Sequence, residues 1–411
     1  MWNDLRYAAR LLARDRAFTV TAALALVIGM SATITMFTFV YGVYFRELPF
    51  SEPDRIVSVG TYDLARGPMA IDNLSFPDLQ DLRSSATLFD GIGAADEEAM
   101  DVADEERAAE RFVGAWVSAD TFTLLGHRPM LGRPFTPDDD RPGAGPVVIL
   151  GHDVWRRRYG SDPNIIGERI RVNGLPSTIV GIMPEGFGFP LQSQLWQPLA
   201  LRGGEGRDQR GNRNIDAFGR LAAGVTIEQA QADVARVMER LAREFPESNG
   251  SIGGLVRPFR DLTTSGPIRT VFAGLMGAAI FLLLIACANV GNLMLARGAV
   301  RAREIMVRLS LGASRRQVIR QLLGESLLLA VLAGAAGLGL AALAGQALER
   351  VIEPTGAPYW IDLSIEASVF AFVAAVCLGT TVLCGLAPAL HASKLNLLGV
   401  LGEGGRTAGT L

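Results

Sequence analysis

Two apolar runs, residues 268–296 and 321–347, bracket a short arginine-rich segment at 297–320, and this pairing limits the fold more than any other feature of the chain. A helix that crosses a bilayer needs about 20 mostly apolar residues, and each run exceeds that. The segment between them carries Arg297, Arg301, Arg303, Arg308, Arg315, Arg316 and Arg320 against a single acid, Glu304. A short loop this rich in arginine stays on the cytoplasmic side. Ala302, Ile305, Met306 and Leu309 fall at i, i+3, i+4 and i+7, which predicts an amphipathic helix with one apolar stripe. Gly312 is placed to stop that helix and Ser314 to cap the next one. Two readings fit: a positive-inside anchor, or a lever that a cytoplasmic partner docks on to move the two spanning helices.

Two further apolar runs, 17–45 and 365–390, complete a set of four. Before the first, residues 1–16 form an interfacial amphipathic helix, with Trp2, Leu5, Ala9 and Leu12 on one face and Arg6, Arg10 and Arg14 on another. A cleavable signal peptide is discounted because the apolar run is much longer than a signal core of ~7–15 residues. Residues 46–267 are soluble in composition and mix strand and helix patterns. Ser75 caps a helix expected over 75–89, the Asn173-Gly174 pair predicts a hairpin, and residues 226–244 form the strongest amphipathic helix. A break between two lobes is expected within 133–146. Residues 348–364 read as a short external loop and 391–411 as a cytoplasmic tail. The expected fold is therefore a membrane protein with four transmembrane α-helices and a large α+β periplasmic domain inserted between helices 1 and 2, both termini being cytoplasmic.

No constellation for covalent chemistry stands out. His127, His152 and His391 are far apart in the sequence, and no metal site is expected. Asp138, Asp139 and Asp140 lack the spaced ligands and glycine of a calcium loop and read as a solvated acidic loop. The only lysine, Lys394, follows no glycine-rich loop, so no phosphate-binding loop for ATP is expected in this chain. The net charge of −3 gives no bulk affinity for nucleic acid. Cys287, Cys377 and Cys384 all lie in apolar runs, where a thiol packs as a small apolar group. Asn289 and Asn292 near one end of the second span are expected to make contacts between helices, and Gly334, Gly337 and Gly345 in the third mark close helix packing rather than a polar pore.

The stretch NVGNLMLARGAVRAREIMVRLSLGASRRQVIRQLLGESLLLA resembles the FtsX-like core of ABC transporter permeases of the macrolide-exporter (MacB) and lipoprotein-releasing type. The segments SFPDLQDLR, MLGRPFTPDDD, VWRRRYG and IRVNGLPSTIVGIMP resemble the periplasmic domain of MacB-type permeases, and the tail LAPALHASKLNLLGVLGEGGR is similar to the same family. The resemblance implies a chain that binds no cofactor itself, with ATP and Mg2+ held by a separate ABC ATPase subunit. It implies pairing with a second permease chain, as a homodimer or with a sister chain, and contact with membrane lipids and with a periplasmic adaptor. It implies a location in the bacterial inner membrane and export driven by movement of the periplasmic domain, called mechanotransmission. By the same resemblance Glu304, Arg308, Gly312, Ala313, Ser314 and Arg315 fall on the coupling helix that meets the ATPase. Two departures from the pattern stand out: many similar permeases carry two such units in one chain, and MacB carries its ATPase ahead of the first span. An FtsX-like scaffold that regulates an extracytoplasmic cell-wall hydrolase, or a lipoprotein-releasing translocase subunit, is the alternative.

Overall fold

The computed structural model describes residues 2–68, 72–104, 107–203, 207–262, 266–300, 307, 314–352 and 357–393. The chain divides into two compact units. One holds residues 1–45, 267–351 and 363–411, and the other holds 46–266 and 352–362.

The first unit opens with helices α1 (Trp2–Arg14) and α2 (Arg16–Tyr44). Asp15 lies at their junction and its carboxylate accepts from the backbone N–H of Phe18 at 3.4 Å, so the break between the helices is also the cap of the second. The α+β unit follows. Its elements in order are β1 (Ile56–Asp63), β2 (Leu74–Ser75), α3 (Phe76–Ser85), β3 (Phe89–Ala103), β4 (Glu110–Val117), α4 (Thr121–Leu125), β5 (Leu131–Gly132), β6 (Val147–Leu150), α5 (His152–Tyr159), β7 (Arg169–Val172), β8 (Leu175–Ile182), β9 (Leu195–Pro198), β10 (Arg213–Leu221), α6 (Ile227–Glu244), α7 (Pro246–Asn249) and β11 (Ile252–Pro258). Three long helices, α8 (Gly266–Val300), α9 (Arg315–Ile352) and α10 (Ala367–Ser393), return the chain to the first unit. With α2 they make four helices long and apolar enough to cross a membrane.

All eleven strands form one mixed sheet in the order β11-β1-β10-β3-β4-β9-β6-β8-β5, with β2 paired to β10 and β7 bridging β3 and β8. The segment at 133–146 joins β5 to β6, both strands of this sheet. Its two faces carry two separate cores, and strand periodicity assigns residues to them. Val148 and Leu150 of β6 point into one core, Val147 and Ile149 into the other. The first core is covered by Leu79 and Leu82 of α3, by Val154 and Trp155 of α5, and by Ala230, Val234, Val237, Met238 and Leu241 of α6. Thr226 and Gln229 form a capping box at the start of α6. Gln231 of that helix binds Gly254 O and Val256 N on β11 at 2.8 and 2.7 Å, which fixes the helix to the sheet edge. The second core is aromatic, with Phe50, Phe122, Phe135, Phe187, Phe189, Trp196, Phe218 and Phe259 buried together.

The Asn173-Gly174 turn between β7 and β8 has φ of 49° and 80°, the doubly left-handed turn that this dipeptide favours. The helix expected over 75–89 ends sooner, at Ser85. Beyond it the backbone N–H groups of Thr87 and Leu88 donate to Asp233 of α6 at 2.8 and 3.4 Å, and Phe89 opens β3. The aspartates at 138–140 differ from one another. Asp138 is exposed, Asp139 pairs with Arg133, and Asp140 accepts from the N–H groups of Ala119 and Ala200 at 3.2 and 2.7 Å. Only the first fits a solvated acidic loop.

Candidate functional site

The arginine-rich segment is anchored where it leaves α8 and where it enters α9. Arg297, close to the end of α8, places its guanidinium 3.3 Å from the carboxylate of Asp15 and 3.2 Å from Leu11 O, and 4.5 Å over the ring of Phe18. One arginine thus ties the last turns of α8 to the α1–α2 junction. At the other end Ser314 N–H donates to Gln317 Oε1 at 2.9 Å and Gln317 N–H to Ser314 Oγ at 3.4 Å, a capping box on α9. Arg315 is the first residue of that helix. Glu304, Arg308, Gly312 and Ala313 lie outside the described residues.

The Ser314 cap is worth about 1 kcal/mol. Ser314→Ala is therefore expected to speed amide exchange of residues 315–317 several-fold, with the middle of α9 unchanged. Equal exchange in both proteins would show that the cap carries no stability.

Within the bundle α2 is the common neighbour. A methyl group at Gly29 would lie 3.0 Å from Leu283 Cα on α8, and Thr33 Oγ of α2 donates to Ala279 O at 3.1 Å. Gly337 of α9 lies against α2, where a methyl group would sit 3.2 Å from Ser31 N and 3.3 Å from Met30 Cβ. Gly334 faces α10, where a methyl group would come 2.6 Å from Cys377 Sγ. Phe37 stacks on Phe372 with centroids 3.8 Å apart. Gly345 is different, because its nearest neighbour, Leu363 O, would be 3.7 Å from an added methyl, an ordinary contact. Asn289 and Asn292 are placed away from the buried seam. Ala286, Cys287, Val290 and Met294 fill that seam, and the two amides lie on the exposed side of α8 with Leu293. Glu325 is buried near the start of α9, with Gln321 donating to it at 3.4 Å.

One feature of the second unit had only a faint signal in the sequence, two adjacent aromatics in the loop between the third and fourth apolar runs. Tyr359 N–H donates to Leu191 O at 2.7 Å, and its ring meets Phe187 at 5.6 Å. Trp360 meets Phe50 and Phe259 at 6.0 and 5.6 Å. Asp362 pairs with Arg46 at 2.8 Å. Burial raises the Tyr359 phenol above its ordinary value. The loop is thereby part of the α+β unit. Elsewhere in that unit His152, Asp153 and Glu185 come close enough to share a cation. Arg156 already reaches both carboxylates, at 2.9 and 3.6 Å, and supplies that positive charge.

Comparison with known proteins finds two domain families along the chain. Residues 19–237 match the MacB-like periplasmic core domain, and residues 276–397 match the FtsX-like permease C-terminal domain. The macrolide export ATP-binding/permease protein MacB of Escherichia coli K12 is 26% identical over 284 residues, which is 68% of this chain and 42% of that protein. MacB of Shigella flexneri gives the same figures. The chain thus spans less than half the length of these relatives. Among solved structures, the periplasmic region of MacB from Actinobacillus actinomycetemcomitans is 15% identical with a TM-score of 0.39, covering 54% of this chain and 96% of that one. A permease domain from Porphyromonas gingivalis is 15% identical with a TM-score of 0.41, covering 51% of this chain and 92% of that one.

Proposed function

Because the chain belongs to the ABC permease family that joins a MacB-like periplasmic core domain to an FtsX-like C-terminal domain, we propose that it is the subunit through which a separate ATPase moves that periplasmic domain in export. It is a multi-pass membrane protein. The observation that carries the reading is how the backbone connects its parts. The chain passes between the bundle and the α+β unit at residues 45–46, 266–267, 351–352 and 362–363, so each spanning helix is joined to that unit by the chain itself at or near one end. A shift of the helices is then transmitted along covalent links and needs no path for a substrate between them. The bundle itself favours this over a channel, since its seam is filled by Met30, Ile34, Ala330, Ala333 and other small or apolar side chains.

In this reading the arginine-rich segment faces the cytoplasm and meets the ATPase through Glu304, Arg308, Gly312, Ala313, Ser314 and Arg315, and both termini are cytoplasmic. ATP and Mg2+ belong to the partner. The exposed side of α8 with Asn289 and Asn292 faces a second permease chain, because two amides turned to lipid alone would lack hydrogen-bond partners.

Two measurements test the proposal. Purification from the native membrane in mild detergent should bring down a P-loop ATPase in near-equal amount, identified by mass spectrometry. Glu304→Arg should abolish stimulation of that ATPase while leaving membrane insertion intact. Unchanged stimulation would remove the coupling role, and recovery of a cell-wall hydrolase in place of an ATPase would favour the scaffold alternative.

A further inference from the structure

A cavity of about 240 Å³ opens on the aromatic face of the sheet in the α+β unit. Its floor is β1, β10 and β3. Its walls are aromatic: Phe189 packs on Phe218 and Phe259 with centroids 5.0 and 6.1 Å apart, and Trp360 closes the side next to Phe259 at 5.6 Å. Three carboxylates line the same space, Asp72, Glu97 and Asp216. Glu97 is aimed by its surroundings, because its Oε2 accepts from the N–H groups of Leu191 and Gln192 at 3.3 and 3.1 Å and from Ser193 Oγ at 2.8 Å. Asp216 lies directly across from Ala95 on β3, two residues from Glu97 on the same face. Among the described residues none of the three carboxylates forms an ion pair, and the lining holds no arginine. The nearby Asp96 is different, since it is held by Arg202.

From this geometry we infer that the cavity is a binding site for a small organic cation, an ammonium group carried on an apolar or aromatic body. A positive charge would lie among aromatic rings, whose faces attract cations, and beside three acids that lack a counter-charge among the described residues. An apolar body would fill the aromatic part. A neutral ligand would strip water from the carboxylates and return nothing, and an anion would be repelled. The cavity is below the ~300–1,000 Å³ of pockets that enclose drug-sized molecules, so the ligand is a small one or the head of a larger one.

The electrostatics agree. The protein atoms around Asp216 exclude much of its solvent, and the charges of Asp96 and Glu97 add to this, lifting its carboxyl to about 6 against the opposing hydrogen bond from Asn73. Its outer edge remains open to solvent. The charged groups facing it are thus the acids of β3 and Asp72. Arg257 of β11 lies opposite Ser58, two strands away. A bound cation favours the ionised form, so binding is strong above pH 6 and weakens as pH falls through that value, when Asp216 takes up a proton.

The inference holds whether or not the chain works with an ATPase, and its test needs only the purified full chain in neutral detergent. Calorimetric titration with benzyltrimethylammonium, whose charge does not depend on pH, should show saturable one-to-one binding. Neopentylbenzene, the neutral isostere, should bind at least tenfold more weakly. Lowering the pH from 7.5 to 5 should weaken the cation roughly tenfold, as expected for one carboxylate titrating near 6. Asp216→Asn should weaken it at least tenfold at pH 7.5 and remove most of the pH dependence, and Asp72→Asn should weaken it less. Absence of saturable binding, equal binding of the neutral isostere, or a wild-type affinity independent of pH would each overturn the proposal.

Discussion

Asp78→Ala is expected to destabilise the α+β unit by about 3–5 kcal/mol, the range for breaking a buried, hydrogen-bonded ion pair by removing one partner. Asp78 sits in the first turn of α3 and is fully buried. Its backbone N–H donates to the capping hydroxyl of Ser75 at 3.2 Å. Its carboxylate accepts from Arg210 at 2.7 Å and from Asn249 of α7 at 3.0 Å, and Arg213 of β10 is 3.7 Å away. Three separate parts of the chain therefore meet on one side chain. Alanine would leave Arg210 and Arg213, both mostly buried, facing a void, and Asp81 would hold only one of them, Arg210 at 2.7 Å. The measurement is the urea midpoint of the full chain followed by tryptophan fluorescence. Four of the five tryptophans, at 116, 155, 196 and 360, belong to this unit, so the signal reports on it. Asp101→Ala is the control, because its pair with Arg111 at 2.8 Å is exposed on both sides and solvent screens such pairs so that they contribute little. Equal midpoints for the two variants would show that burial adds nothing to the Asp78 cluster.

The same cluster shows why sequence reading reached some elements and not others. Where the signal is local, it was legible. The four apolar runs, the apolar stripe of α6, the Asn173-Gly174 turn and the Ser314 cap each depend on residues within a few positions of one another. The longest strand, β3, gave no such signal. Its sequence carries Asp96, Glu97 and Glu98 in a row and Asp101 soon after, a poor composition for a strand in the middle of a sheet. Three of these acids are accommodated by groups outside the strand, for Asp96 and Glu97 far along the chain. Arg202 takes Asp96, the N–H groups of 191 and 192 take Glu97, and Arg111 of the neighbouring strand takes Asp101. The cation cavity was hidden for the same reason, since Asp72, Glu97, Asp216 and Trp360 come from four separate stretches and no periodicity connects them. Asp140 illustrates the point for a single residue. A run of three aspartates looks solvated, and only the fold shows that the third bridges two backbone segments 81 residues apart, at Ala119 and Ala200.

In the membrane bundle the largest effect is expected from Gly334→Leu. A Cβ at this position would lie 2.6 Å from Cys377 Sγ, closer than such contacts occur, and the larger side chain would next meet Val373, whose Cγ1 is 3.6 Å from the same point. The contact cannot relax by a simple rotation, because Cys377 is buried and its thiol already points at Ala330 O, 3.3 Å away on the same helix as Gly334. Helices α9 and α10 would have to separate. Overpacking of this kind costs about 1–3 kcal/mol, and in lipid no gain from hiding apolar surface offsets it, since tails are as apolar as the side chain. The expected result is a lower melting temperature in neutral detergent. Gly339→Leu is the matched control. It lies on the same helix, adds the same side chain and the same favourable helix propensity of ~1 kcal/mol, but nothing comes within 4 Å of its added Cβ. It should melt at or above the wild-type temperature. If both variants fall together, the loss comes from bulk added to the helix rather than from the α9–α10 contact. If Gly334→Leu alone falls, the close approach of α9 and α10 at Gly334 and Cys377 is what the stability of the bundle depends on.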